Sequence, residues 1–580
     1  MKLKSNQANS RKLRYGGVTA ALTALIIAII VVANVIFSAL AQKGRWFTDL
    51  TATQQFTLSQ NCIDLIRNGD EEFDNPSTLE TINAIRAEKK QEDPSFQNED
   101  LMVRLIFCND QDVWEADQTH KMIYETARQL EREFPEYIRV ENHNIIQNPD
   151  VVRPYEGVNS TSQVVIEFGT EYRVRGLEDF FEAEDETLQQ IYSYYGEKIF
   201  AAAILSVTRA ESPIACIVNN HGEETPIDLA KALDLAGFEV QGLNLAQKAP
   251  ADYEGDPTTY SPIPKNCRLL IICNPAADFL ESGQMSADGS TVSSIDEIDR
   301  LDDFLVGDTT GSKGSMMVFL SSETRLNNLE DYLSEWGIVF DRDESTQYPY
   351  RVLDQDNALD YQVGSTILSQ YVKAGAGGEL SAPLWEGINN PRPVVFQNAT
   401  SLSFSPTFTA KTYTDSNDPS KSYLYAVGGA NGAERSVYEV FTSSATATAQ
   451  VNGTTVAKAT EANPFALMMI SVQTETTQTS QWGDYVVDGS YVLACGSPAF
   501  AASEFLQSNA YGNTVFLEYA FRTVGQESVP VGLTFKTLND STMDTVTTKD
   551  ATQYTVVLTI VPIVIALAVG VVVLIRRKNR

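Results

Sequence analysis

The chain has 580 residues, 43 of them Lys or Arg against 76 Asp or Glu, for a formal net charge of −33. That length allows several domains with substantial cores. The acidity argues against nucleic acid as a partner, because a surface of this sign repels phosphate backbones and anionic lipid headgroups alike.

Residues 1–17 form a basic tail containing Lys2, Lys4, Arg11, Lys12 and Arg14 and no acid. Residues 18–40 carry no charge. At about 1.5 Å per helical residue that run reaches roughly 34 Å, more than the ~30 Å of a bilayer's hydrocarbon core. A second apolar run, 554–575, is followed directly by Arg576, Arg577, Lys578 and Arg580. Basic flanks mark the cytoplasmic side of a span. Arg11, Lys12, Arg14, Arg576, Arg577 and Lys578 are therefore the expected topology determinants. The expectation is a protein of the cytoplasmic membrane, held in the bilayer by two helices, with both termini cytoplasmic and the intervening chain extracytoplasmic. The competing reading is a cleavable signal peptide with Ala39-Leu40-Ala41 as its cleavage pattern, although 18–40 is about twice the usual h-region of 7–15 residues.

Residues 45–210 read as a thioredoxin-like α/β domain lacking C-x-x-C. Val103 to Phe107 is a strand, 114–134 a helix with Ile123, Ala127, Leu130 and Phe134 on one stripe, 164–168 and 172–174 a hairpin, and 196–209 a helix. Residues 211–535 read as a Rossmann-like domain, since apolar strands near 214–218, 269–273 and 316–320 alternate with helices near 224–236, 295–306 and 329–336. Ser294 and Glu297 form an S-x-x-E capping box for the middle helix. Residues 341–460 are rich in Ser, Thr, Asn and Gly, and are read as insertions, with 442–460 an exposed loop or hairpin. Residues 536–553 are read as a polar stalk. The expected fold class is thus α/β, with transmembrane helices flanking a thioredoxin-like unit and a Rossmann-like, mostly parallel sheet.

Among the motifs, the loop from Gly307 to Lys313 has the wrong spacing for a phosphate-binding loop, and Lys313 is followed by glycine. Gly375-Ala-Gly-Gly reads as flexible linker. Cys108, Cys216, Cys273 and Cys495 sit in or beside apolar runs, as buried free thiols do. The histidines at 120, 143 and 221 offer no metal spacing, and no cofactor is expected. The suggestive cluster is His221, Gly222, Glu223 and Glu224, between a buried strand and a helix, where open α/β sheets place their ligands. Read as a tight turn and recognition surface, it predicts that Glu223→Ala changes stability little, an exposed charge there contributing about 0.3–1 kcal/mol. Read as catalytic, it offers general acid/base chemistry through His221 and Glu223.

The start R-x-x-R-Y-G, the segments R-W-x-T-D-L-T and F-T-L-S, the strand–His221-Gly222-Glu223-Glu224–helix turn, Cys495-Gly496-Ser497 and the ending R-R-K-N-R together resemble the GldG-type auxiliary components of ABC transport systems. That resemblance implies a non-catalytic subunit working with a separately encoded ABC ATPase and a multi-span permease, its cargo unspecified. It supplies no catalytic residue. The competing classes are an anchored hydrolase using His221 and Glu223, and a lumenal glycosylation-complex subunit, for which Asn159, Asn398, Asn452 and Asn539 supply sequons.

Overall fold

The computed structural model describes residues 57–68, 76–183, 191–209, 211–224, 227–253, 260–283, 295–307, 313–414, 422–429, 434–478, 485–508, 510–533, 535–538 and Arg576. The chain divides into two units, one of the terminal segments Met1–Thr57 and Asp540–Arg580, the other of Leu58–Asn539, and the second carries the described architecture.

Both apolar runs, and all the basic topology determinants except Arg576, lie outside the described residues. Among the described residues no helix is long and apolar enough to cross a membrane. The longest are Gln118–Glu133, with 16 residues, and Thr78–Glu92, with 15, against the roughly 20 apolar residues a span needs. The most apolar helix, Gly196–Thr208, uses its apolarity differently: all thirteen residues are buried in the protein. The expected fold class and membrane placement are corrected accordingly, to a mixed α/β unit with several sheets.

The larger sheet has twelve strands and is not mostly parallel. Its centre is: Glu239–Leu243, Ile214–Val218, Cys267–Cys273, Ser315–Phe319 and Tyr485–Cys495 lie side by side and run the same way. Beyond Tyr485–Cys495 every pairing is antiparallel, through Ala466–Gln478, Arg435–Thr442, Tyr423–Gly428 and Thr409–Tyr413. The parallel strands are five to seven residues long except the last, and the three inner ones, Ile214–Val218, Cys267–Cys273 and Ser315–Phe319, are buried on both faces, so their pleat alternation feeds two cores. Ile217, Ile271, Phe319 and Leu493 face helices Ile227–Leu235 and Asn513–Gly525. Cys216, Ile272, Val318 and Val492 face helices Glu297–Val306 and Asn327–Glu335, with Trp336 filling that side.

The insertions at 341–460 are more ordered than their composition implies. Thr448–Val451 and Thr454–Lys458 form a hairpin over Asn452 (φ 48°) and Gly453 (φ 77°), the backbone that an Asn-Gly turn favours. The glycine-rich stretch read as linker begins the helix Gly375–Trp385. A Cβ on Gly377 would sit 2.0 Å from the Glu439 carbonyl oxygen, so these glycines permit the helix to lie against a strand.

A four-stranded sheet, in the order Ile138–Asn142, Val103–Phe107, Val164–Phe168, Glu171–Arg175, packs against Gly196–Thr208. Both ends of the described unit meet at this helix. Glu197 accepts hydrogen bonds from the Ser59 backbone N–H at 3.1 Å and from the Ser59 hydroxyl. Its other carboxylate oxygen lies 2.6 Å from the Lys536 Nζ. Lys536–Thr537, expected as part of a stalk, is a short strand paired with Ile191–Tyr194.

Candidate functional site

The parallel strands determine where a site can form. Ile214–Val218 leads into His221, Cys267–Cys273 into Asn274, Ser315–Phe319 into Ser321, and Tyr485–Cys495 into Pro498, all at the carboxyl edge of the sheet. Two adjoining features occupy this edge: a buried charge network and an open cleft.

The network centres on His221, which is 6% exposed. Its Nδ1 lies 2.9 Å from Glu223 Oε1 and its Nε2 lies 2.9 Å from Glu297 Oε2. Both carboxylate side chains are fully buried. With both carboxylates ionised, each ring nitrogen meets an acceptor, an arrangement that favours the imidazolium; Asn220 Nδ2 also approaches Nε2, at 3.1 Å. Burial alone would lower the His221 pKa, but the hydrogen bonds and charges of Glu223 and Glu297 outweigh it and raise it to about 9. Burial pushes both glutamates up, and the His221 ring, together with backbone N–H groups and, for Glu297, Asn220, reverses this, leaving both below the ordinary carboxylate value.

The remaining valences are met. Glu297 also accepts from Asn220 Nδ2 and from the Leu280 N–H, each at 2.8 Å. Glu223 Oε2 accepts from the His221 N–H at 2.7 Å. The His221 carbonyl accepts from Ala276 and Ala277, and the ring stacks on Phe279 with centroids 4.0 Å apart. Gly222 has φ +75°, which closes the turn that lets His221 and Glu223 face each other. The expectation that His221 and Glu223 form an exposed recognition turn is therefore revised. They tie three segments together, and of the four turn residues Gly222 and Glu224 are the exposed ones.

Glu297 was expected as a helix cap. Asp296 caps the helix instead, accepting from the Asp299 N–H at 2.8 Å, and Glu297 turns inward. Ser294 and most of the loop from Gly307 to Lys313 lie outside the described residues. His120 and His143 pair with Asp117 and Glu141, and among the described residues no group of His, Cys, Asp and Glu is arranged to hold a metal. All six cysteines are buried and free.

The histidine's charge makes stability pH-dependent. A group with its pKa raised from 6.5 to about 9 contributes fully below 6.5 and loses that contribution as pH rises through 9. The depressed glutamates contribute fully above their ordinary value of 4.5 and lose it as pH falls further. The network thus acts at full strength between those limits. Urea titrations of wild type and His221→Gln at pH 6 and pH 10 are expected to show a stability difference that shrinks by on the order of 3 kcal/mol at the higher pH. A pH-independent difference would show that the ring is neutral in the fold.

Beside the network lies a cleft of about 550 Å³. Glu224, Ile227 and Asp228 form one wall, and Pro498, Ala499 and Ala502 line another stretch. Asn274, Ser321, Gln397 and Asn398 complete it with Arg351. Asn274 (φ 45°) and Asn398 (φ 51°) hold left-handed backbone that non-glycine residues seldom adopt, a strain that collects at binding sites. Arg351 is held by neighbours: it donates to the Ser321 carbonyl at 2.8 Å, to Thr400 Oγ1 at 2.9 Å and to Glu323 at 2.5 Å. Sequence reasoning found Glu224, named Asn398 only as a sequon, and missed the rest, which come from segments as far apart as 227 and 503. The detectable signal was the end of each apolar strand.

Searches of family models, curated proteins and solved structures each return no match to this chain.

Proposed function

We propose that this chain is a non-catalytic recognition subunit of an ABC-type transport complex, acting beside a separately encoded ATPase and permease. The observation that supports recognition over turnover is the state of His221. Both its nitrogens face buried carboxylates at 2.9 Å and the ring is 6% exposed, so it is engaged on both sides within the fold and its raised pKa disfavours a general-base role at neutral pH. The adjacent cleft offers amides, carboxylates and an apolar wall, groups suited to holding a ligand. The transport assignment rests on the order of segments that resembles GldG-type components.

Co-expression with an ABC ATPase and a permease from the same genome is the direct test. The expected result is a stable three-component complex whose ATP hydrolysis changes when this chain is withdrawn. A chain that never co-purifies with either protein, or an ATPase indifferent to it, would reject the assignment.

A further inference from the structure

The cleft's own chemistry narrows what it binds, an inference that deepens the recognition reading and rests on it. Its charge balance comes first. Arg351 is the cation among the lining residues, and it is already satisfied by Glu323, by Ser321 and by Thr400. Glu224 and Asp228 have only neutral partners: Asn274 Nδ2 at 2.9 Å for the first, Ser503 and Gln507 for the second. Among the described residues neither has an ion pair, so the cleft presents two uncompensated carboxylates. An anionic ligand is repelled and a cationic one is attracted.

The second observation concerns two amides in the lining. The side-chain amides of Gln397 and Asn398 line the cleft without a hydrogen-bond partner among the described residues, while their backbone groups are engaged. A side-chain amide offers two donors and an acceptor, the complement of a peptide group. Asn398 holds left-handed backbone, and its N–H donates to the Ser365 carbonyl at 2.9 Å, which anchors the main chain from which the amide projects.

The third observation is apolar. Ile227 is 67% exposed although it is the first residue of its helix and borders the cleft. Ala499 and Ala502 line the same cleft, and Ile227 adjoins Asp228 in the chain. An aliphatic stem ending in a cation fits that juxtaposition, its methylenes on the apolar side chains and its head on the acids.

We infer that the cleft binds an extended peptide segment bearing lysine or arginine, with Gln397 and Asn398 pairing with its backbone, Glu224 and Asp228 with its cationic head, and Ile227 with its stem. The volume, about 550 Å³, lies within the range of sites that bury a short segment.

Isothermal titration of the full chain with acetyl-Ala-Lys-Ala-Lys-Ala-amide tests this, with the norleucine analogue and spermidine as the other two arms. The lysine peptide is expected to bind saturably and to weaken at high salt. Replacing lysine by norleucine, or Glu224→Gln with Asp228→Asn, should each weaken binding about tenfold or more, as loss of a charged hydrogen bond does. Gln397→Ala should weaken the peptide and leave spermidine unchanged. Thermal melts of the variants, expected to match wild type, separate lost contacts from lost fold. No saturable binding of the lysine peptide, or equal binding of its norleucine analogue, overturns the inference. Spermidine binding as tight as the peptide's, with Gln397→Ala silent in both, overturns the peptide assignment in favour of a free polyamine. Failure in every arm by a chain that still assembles with the ATPase and permease removes this inference and leaves the subunit assignment standing.

Discussion

Glu297→Ala is expected to lower the unfolding free energy by about 3–5 kcal/mol, the cost of leaving a buried charge without its partner. Three donors lose their acceptor at once: His221 Nε2, Asn220 Nδ2 and the Leu280 N–H. Because the ring, the strand-end loop and the helix Glu297–Val306 are joined through this carboxylate, the loss falls on tertiary structure rather than on one helix turn. Glu223→Ala should lie in the same range, against the small effect that an exposed turn would give, since its side chain is equally buried. Double-mutant analysis with His221→Gln should recover part of either loss, because removing the imidazolium removes the uncompensated charge. Urea denaturation at pH 6 measures all of this. A loss under 1 kcal/mol for Glu297→Ala would mean that the network is solvated and the site is built differently.

Gly496→Ala is expected to be comparably damaging for a different reason. A Cβ at this position would lie 2.1 Å from the Thr400 carbonyl oxygen, and Gly496 is fixed from both sides, donating to Leu467 at 2.9 Å and accepting from Thr400 at 2.8 Å. Neither neighbour is a flexible side chain that can swing aside. Overpacking of this kind typically costs 1–3 kcal/mol and occasionally more, and about 3 kcal/mol is expected here. Gly387→Ala is the control, with φ +71° and nothing within 4 Å of the added carbon. It should lose only about 1 kcal/mol, from backbone strain. Equal melting temperatures for the two variants would show that the Thr400 segment yields.

These two positions illustrate how legible the chain was. Gly496 was visible in the sequence as part of Cys495-Gly496-Ser497, and the glycine's purpose, close approach of a second backbone at a strand end, was not. Glu223 was visible beside His221, yet its partner Glu297 lies 76 residues from the histidine and looks locally like an ordinary helix-starting acid. Apolar runs located the inner parallel strands because these are buried on both faces, and the pattern failed at 341–460, where strands such as Arg351–Leu353 and Val395–Gln397 have three residues each. A three-residue strand is fixed by its partner across the sheet, and that information is not local. The glycines from 375 onward misled for the opposite reason: a composition typical of linkers serves here to bring a helix onto Glu439. The apolar runs 18–40 and 554–575 invited a membrane placement, whereas among the described residues no helix is long and apolar enough to cross a membrane.

The meeting of Ser59 and Lys536 on Glu197 makes the described unit almost a ring. Asn61 reinforces the closure by donating to the Gly532 carbonyl at 3.0 Å. A fold whose ends adjoin does not depend on where the chain is cut, only on which strands and helices remain neighbours. Circularly permuted, with a short linker joining the residues after 536 to those before 59, the unit could open instead at the exposed Asn452-Gly453 turn and keep every core contact.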